Sequence, residues 1–225
     1  MAAPLESIAQ NGVLRVAINT GNKALVQQVD GQLLGVSPAL AQRLAEEIGV
    51  RMQFVVYPGA GKVFGDATAN VWDVGFLATD PIRAEKIAFT RPYVTIEATY
   101  AVRTDSGFSH VADVDRLGTE VLTSSGSAYD MHLTKALVHA ELLRSGTPPE
   151  SFEEFRSGRG DAVAGVRASL EMAFAGISGI RILPGALTKV DQAMALPGKE
   201  NPALAALDAF VARAINEGFV AEALG

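Results

Sequence analysis

The chain reads as an α/β protein with parallel strand pairing. Three observations lead there. A strand, a helix and a second strand follow one another between Val13 and Tyr57, the order of a βαβ unit whose strands pair in parallel through a right-handed crossover. Strand-like and helix-like segments keep alternating to the C-terminus, with no internal repeat and no low-complexity linker. Of the 225 residues, 48% are apolar, enough for a core in one large domain or two small lobes.

Each element has its own signal. Leu5 to Ala9 predicts a short lead-in helix, broken by Gly12. Val13 to Ile18 is the first strand, and Asn19 to Lys23 is a loop at its carboxyl end. Gln28 to Gln32, with Asp30-Gly31 at its centre, predicts a tight hairpin turn. Ser37-Pro38 predicts a helix start, with Ser as N-cap and Pro at the first helical position. Leu40, Leu44 and Ile48 recur every four residues as its buried stripe, and Gly49 closes it. Met52 to Tyr57 is the second strand, Asp73 to Ala78 the third, Thr95 to Val102 the fourth and Thr119 to Thr123 the fifth. Ser127 opens a helix through Leu137. Glu141–Leu143 is a short strand, Pro149–Arg156 a helix, Ala162–Val166 a strand and Ala168–Ala173 a helix. Ile180–Leu183 and Gln192–Leu196 are strands. Pro202 begins a last helix, with Leu204, Leu207, Phe210, Val211 and Ala214 on one face and Gly218 at its end.

Bulk properties narrow the function classes. The net charge is −6 and the pI near 5.1, which argues against nucleic acid as a partner, since that needs a clustered basic face. The absence of cysteine excludes disulfides and thiol catalysis. Three histidines are too few and too scattered to suggest zinc, so no metal and no cofactor is expected. No apolar run approaches a membrane span. No leader pattern is visible in Met1 to Glu6. The expected location is periplasmic if a leader was removed, and cytoplasmic if Met1 is native.

The chemistry concentrates in one stretch, Trp72 to Tyr93. It reads as a buried strand, a polar elbow carrying Arg83, then a second elbow with Phe89-Thr90-Arg91-Pro92-Tyr93. A guanidinium offers a planar fork of donors that matches a carboxylate and keeps its charge. On spacing alone, Arg83 either grips a ligand carboxylate or caps a helix and pairs with Asp80 or Glu85 at the surface. The stretch resembles the ligand-binding segment of the type II periplasmic solute-binding proteins, family 3, which serve polar amino acid ABC transporters and where the pattern is strand, Thr-x-x-Arg, then Phe-Ser/Thr-x-Pro-Tyr. The resemblance runs from about Leu14 to Leu224. It implies a two-lobed periplasmic-binding-protein-like type II fold with two hinge crossovers, along Glu97–Val102 and Val190–Ala195. Lobe one would hold residues 1–100 and 191–225, and lobe two residues 101–190.

The resemblance also implies site residues. Arg83 would hold the ligand carboxylate. Phe76, Leu77 and Ala78, at the end of the third strand, would line the site. The turn of Ser125, Gly126, Ser127 and Ala128 opens a helix whose free N–H groups favour an anion, although plain N-capping by Ser127 accounts for it equally. Asn19 and Asn22 occupy a loop that in amino-acid binders often carries an acid and an aromatic; they either fix the ligand or only satisfy turn backbone. Phe76 points either into the cleft or into the core.

This chain also departs from the family pattern. Val166 and Arg167 stand where an acid usually holds the ligand ammonium. Arg167 is either a second ligand-binding cation or a surface partner of Glu171. Gly35-Val36-Ser37-Pro38-Ala39-Leu40 lacks the acids of the family's Gly-Phe-Asp-x-Asp-Leu, which marks a divergent branch. The expected ligand is therefore a small carboxylate or amino-acid-like solute, a dicarboxylate included, other than a simple α-amino acid. The expected partner is an ABC transporter membrane permease, and the expected state a monomer without catalytic residues. A cyclohexadienyl-dehydratase-like lyase and an intracellular ligand-sensing domain are the alternatives. Gly59 to Gly65 lacks the spacing of a nucleotide loop and reads as a loop at the cleft rim. His132 and His139 read as surface residues. Asp73, inside an apolar strand, reads as a structural hydrogen-bonding group.

Overall fold

The computed structural model describes residues 3–9 and 11–224. Met1 and Ala2, where the leader question begins, lie outside the described residues. By its contacts the chain forms two units. The first holds the residues up to Thr20, Leu25–Thr95 and those from Asp191 onward; the second holds Gly21–Ala24 and Ile96–Val190.

A one-turn 3-10 helix at Leu5–Ile8 precedes β1 (Val13–Asn19). The hairpin follows as β2 (Gln27–Val29) and β3 (Gln32–Leu34). Asp30 and Gly31 between them have φ 49° and 79°, the left-handed pair that a two-residue hairpin turn needs. Helix α1 (Val36–Glu47) starts earlier than Ser37-Pro38 predicts. Its N-cap is Gly35, and the Ser37 hydroxyl bonds Tyr93 Oη at 2.9 Å instead of capping. Gly35 has φ 107°, and a Cβ there would lie 2.5 Å from the Leu25 carbonyl oxygen. Leu40 and Leu44 are fully buried, as their spacing predicts.

Strand β4 (Arg51–Tyr57) pairs in parallel with β1, as the βαβ reading requires. Residues 60–65, expected as a loop, form α2 (Ala60–Gly65); Val63 anchors it in a core with Trp72, Leu77 and Ile87. Strand β5 (Val74–Ala78) runs parallel to β1 and is buried throughout. The one-turn helix α3 (Pro81–Ala84) follows.

The largest correction concerns β6 (Ile87–Arg103). Phe89 to Tyr93 was expected as an elbow, and it is strand. Pro92 has no N–H to give a ladder, so side chains fasten this end. Thr90 Oγ1 accepts from Met194 N–H and donates to Met194 O, both at 3.2 Å. Arg91 N–H donates to Asp208 Oδ1 at 2.6 Å.

In the second unit, β7 (Glu120–Ser124), α4 (Ala128–Ala136), β8 (Glu141–Ser145), α5 (Pro148–Arg156), β9 (Ala162–Val166), α6 (Arg167–Ala173) and β10 (Ile180–Ile182) follow in turn. The order here is β6-β9-β7-β8. β9 is antiparallel to β6 and parallel to β7, and β7 is parallel to β8. Phe152, Phe155, Leu170 and Phe174 pack with Leu122 and Val163 as its core.

The chain re-enters the first unit along β11 (Thr188–Pro197), longer than Gln192–Leu196 predicts and antiparallel to β5. Helix α7 (Leu204–Asn216) begins after Pro202 rather than at it, and α8 (Phe219–Leu224) ends the described chain. Gly218 separates them at φ 80°. The strand order in this unit is β4-β1-β5-β11.

Candidate functional site

In the first unit the site begins where β5 stops. Asp80 leaves the strand and caps α3: its Oδ1 accepts from Ile82 N–H at 2.7 Å and from Arg83 N–H at 3.4 Å. Pro81 presets the first helical φ. This one capped turn fixes the backbone of Arg83. The Arg83 side chain is 0% exposed, so the surface alternative does not hold. One terminal nitrogen donates to Ala78 O at 2.9 Å. Burial pulls the guanidinium down to about 10, against the opposing charge of Asp80. A charged fork held in a desolvated turn is a chemical signature of anion recognition.

The neighbours of Arg83 are fastened from behind. Thr79 N–H donates to Asp191 O at 2.9 Å, and Thr95 Oγ1 donates to the Asp191 carboxylate at 2.5 Å. Phe76, whose direction the sequence leaves open, is buried and meets Tyr93 edge-on at 5.9 Å. Leu77 joins the core on the opposite face of β5. Burial raises the Tyr93 phenol well above its ordinary range, with the Ser37 hydroxyl pulling the other way. Asn19 ends β1 opposite Tyr57. The Tyr57 hydroxyl donates to Asp66 at 2.8 Å; burial first, then Asp66, pushes that phenol up to about 12.

In the second unit, Lys23 N–H donates to Ser169 Oγ at 3.0 Å, which anchors the Gly21–Ala24 segment. Asn22 Oδ1 is a buried acceptor with no hydrogen-bond partner among the described residues. Ser127 is the N-cap of α4, accepting from Asp130 N–H at 3.0 Å, as its position predicts. The amides of the preceding turn all have internal acceptors. Ser125 N–H donates to Ser145 O at 2.8 Å, Ser127 N–H to Ser124 O at 3.1 Å, and Gly126 N–H to Asp130 Oδ2 at 2.9 Å. Burial lifts the Tyr129 phenol to about 12, with Ser127 and Ser124 pulling it back.

Arg167 opens α6 and spends its donors inside its own unit. It reaches Glu97 at 3.3 Å, Leu183 O at 3.3 Å and Gly185 O at 2.6 Å. Glu171, the predicted surface partner, stands 4.0 Å away. Val166 is the N-cap of α6 and offers no side-chain cap. The structure thus groups Arg83, Phe76 and Ala78 on one unit, and Asn22, the α4 turn and Arg167 on the other. Asp130 was missed, although Ser127-x-x-Asp130 is a capping-box pattern that marks it. Asp73 does the structural work expected of it, in a bidentate pair with Arg15 at 2.7 and 3.0 Å. No group able to hold a metal occurs among the described residues.

The family model for bacterial extracellular solute-binding proteins, family 3, matches residues 14–224. The chain belongs to that family. Solved structures agree on the fold of this family 3 protein. A mutant of ArgBP from T. maritima superposes with a TM-score of 0.84 at 20% identity, over 98% of this chain and 96% of that one. Cysteine-Binding Protein from Campylobacter jejuni gives 0.84 at 24%, over 97% and 90%. The ancestral amino acid-binding protein AncCDT-1, a precursor of cyclohexadienyl dehydratase, gives 0.81 at 22%, over 97% and 96%. At these identities the likeness establishes the periplasmic-binding-protein-like type II fold. No curated protein matches the chain in sequence.

Proposed function

We propose that this family 3 protein binds a small carboxylate-bearing solute, other than a simple α-amino acid, and delivers it to the membrane permease of an ABC transporter. The observation that carries the reading is Arg83. It is fully buried, braced by Ala78 O and fixed by a capped one-turn helix at the end of β5. A guanidinium so placed is preorganised for bidentate recognition of a carboxylate. Asn19 and Asn22 would orient the rest of the ligand with neutral amides. The named relatives bind amino acids, and Val166 with Arg167 separates this chain from that chemistry. One is apolar, and the other is committed to Glu97 and two carbonyls, so neither offers a free acid for an ammonium group. The same position gives a dehydratase no general acid. The family's extracellular character supports action outside the cytoplasmic membrane. The protein would act there as a monomer.

Native mass spectrometry on freshly purified protein tests the reading. The expected result is a stoichiometric small carboxylate, released on denaturation. Co-purification of a standard α-amino acid, or its binding at micromolar affinity, would refute the exclusion drawn from Val166.

A further inference from the structure

Strand β11 is apolar from Ala193 to Leu196, and all four of these residues are buried. Gln192, which precedes them, is the polar exception. It is 6% exposed, yet its carboxamide takes part in no hydrogen bond among the described residues. Nor is the amide sealed in the core, as the partnerless Trp72 indole nitrogen is. Buried amides are nearly always paired, because an unpaired one gives up its water without compensation. The strand register places this one. Gln192 stands directly opposite Ala78 on β5, and Met194 opposite Phe76. Opposed side chains share a face of the sheet, so Gln192 and Ala78 end the Phe76–Met194 column at the carboxyl end of β5. Thr79 N–H donates to Asp191 O at 2.9 Å. That bond makes Thr79 and Asp191 a hydrogen-bonded pair, and Ala78 and Gln192 the close, non-hydrogen-bonded pair beside it. Their Cβ atoms therefore approach to about 4.5–5.5 Å. The Ala78 carbonyl points away from β11, and there it accepts from the Arg83 guanidinium. By position, one small side chain separates a partnerless amide from the buried arginine, all within the first unit.

We infer that Gln192 is a further ligand-contacting residue, whose side-chain amide donates to the carboxylate that Arg83 holds. This rests on the solute-binding reading and adds a second side chain to it. One terminal nitrogen of Arg83 is already engaged by Ala78 O, while a carboxylate has about four acceptor sites to fill. A neutral donor on the other flank of Ala78 fills one of them without adding a second positive charge. The amide is then paired when the carboxylate is bound and unpaired when it is not. Its burial weakens the ligand-free fold and favours the occupied one.

The test is an NMR titration of the full chain with sodium acetate, at an ionic strength held constant with sodium chloride. It follows the Gln192 side-chain amide and the Arg83 Nε–H. In the wild type both should move saturably with one dissociation constant. Gln192→Met keeps the length of the side chain and removes the amide. Its acetate affinity, read at Arg83, should fall about tenfold. Its ligand-free melting temperature should equal or exceed that of the wild type, because no bond of the fold is lost. The inference is overturned if acetate moves Arg83 and leaves the Gln192 amide still, or if Gln192→Met binds acetate as the wild type does. A lower melting temperature in Gln192→Met also overturns it, since the amide would then be serving the fold. Where Gln192→Met does not fold, the wild-type titration decides alone. Acetate that moves Arg83 alone leaves the carboxylate reading standing; acetate that moves neither group refutes that reading at Arg83, and the inference with it.

Discussion

Arg83 keeps its charge where solvent does not reach it. Its folded-state value of about 10 lies below the ordinary guanidinium range, so folding disfavours the charged form. The penalty is fully present below pH 10 and is relieved as pH climbs from there toward the ordinary guanidinium value. Burying this charge is disfavoured in the ligand-free fold at neutral pH, and ligand recognition is a reason to keep it there. Arg83→Met, which keeps volume and removes charge, should therefore leave urea stability at pH 7 unchanged or raise it by about 1 kcal/mol. A loss above about 2 kcal/mol would make Arg83 a structural residue. Its position was legible from the chain, because strand, Asp80 cap and Pro81 leave little choice of where the turn falls. Its burial was not, because Asp80 and Glu85 offered surface partners equally well on spacing. Phe76 was illegible for a related reason: in a strand buried on both faces, every parity is apolar.

At the scale of the element, what local chemistry decides was read correctly, and what distant chemistry decides was not. The β2–β3 hairpin follows from Asp30-Gly31 alone. The start of β6 does not follow from its own residues, because Pro92 argues against a strand. Asp208 and the backbone of Met194, more than a hundred residues away, hold it in place. Ser37 fails as a cap because Tyr93 claims its hydroxyl. The link between α4 and β8 is another distant tie. The Asp115 carboxylate accepts the N–H groups of Val138, His139 and Ala140 at 3.0, 2.7 and 2.8 Å. Those bonds, the one from Ala140 foremost, hold its carboxyl below the ordinary 3.8. The stability it lends is thus present above 3.8 and is lost as pH falls through its lower folded value. Asp115→Asn should show a shallower fall in melting temperature between pH 5 and pH 2 than the wild type does. Equal slopes would remove Asp115 from the acid response.

At the scale of the molecule, the alternation of strand and helix points to the class, and the Trp72–Tyr93 segment points to the family. The ligand was less legible, because the proposed reading rests on departures from the family pattern: an apolar Val166 and an Arg167 consumed by its own unit. The commitment of Arg167 depends on partners outside its own segment, Glu97 and the carbonyls of Leu183 and Gly185. The central claim is that a buried arginine on the first unit holds the carboxylate of a transported solute. Calorimetric titration of the carboxylate released from the native protein, into wild type and into Arg83→Ala, tests it most directly. The account predicts one-to-one binding by the wild type and a loss on the order of 2–5 kcal/mol in the variant, with both proteins folded. Equal affinities for the two would contradict it.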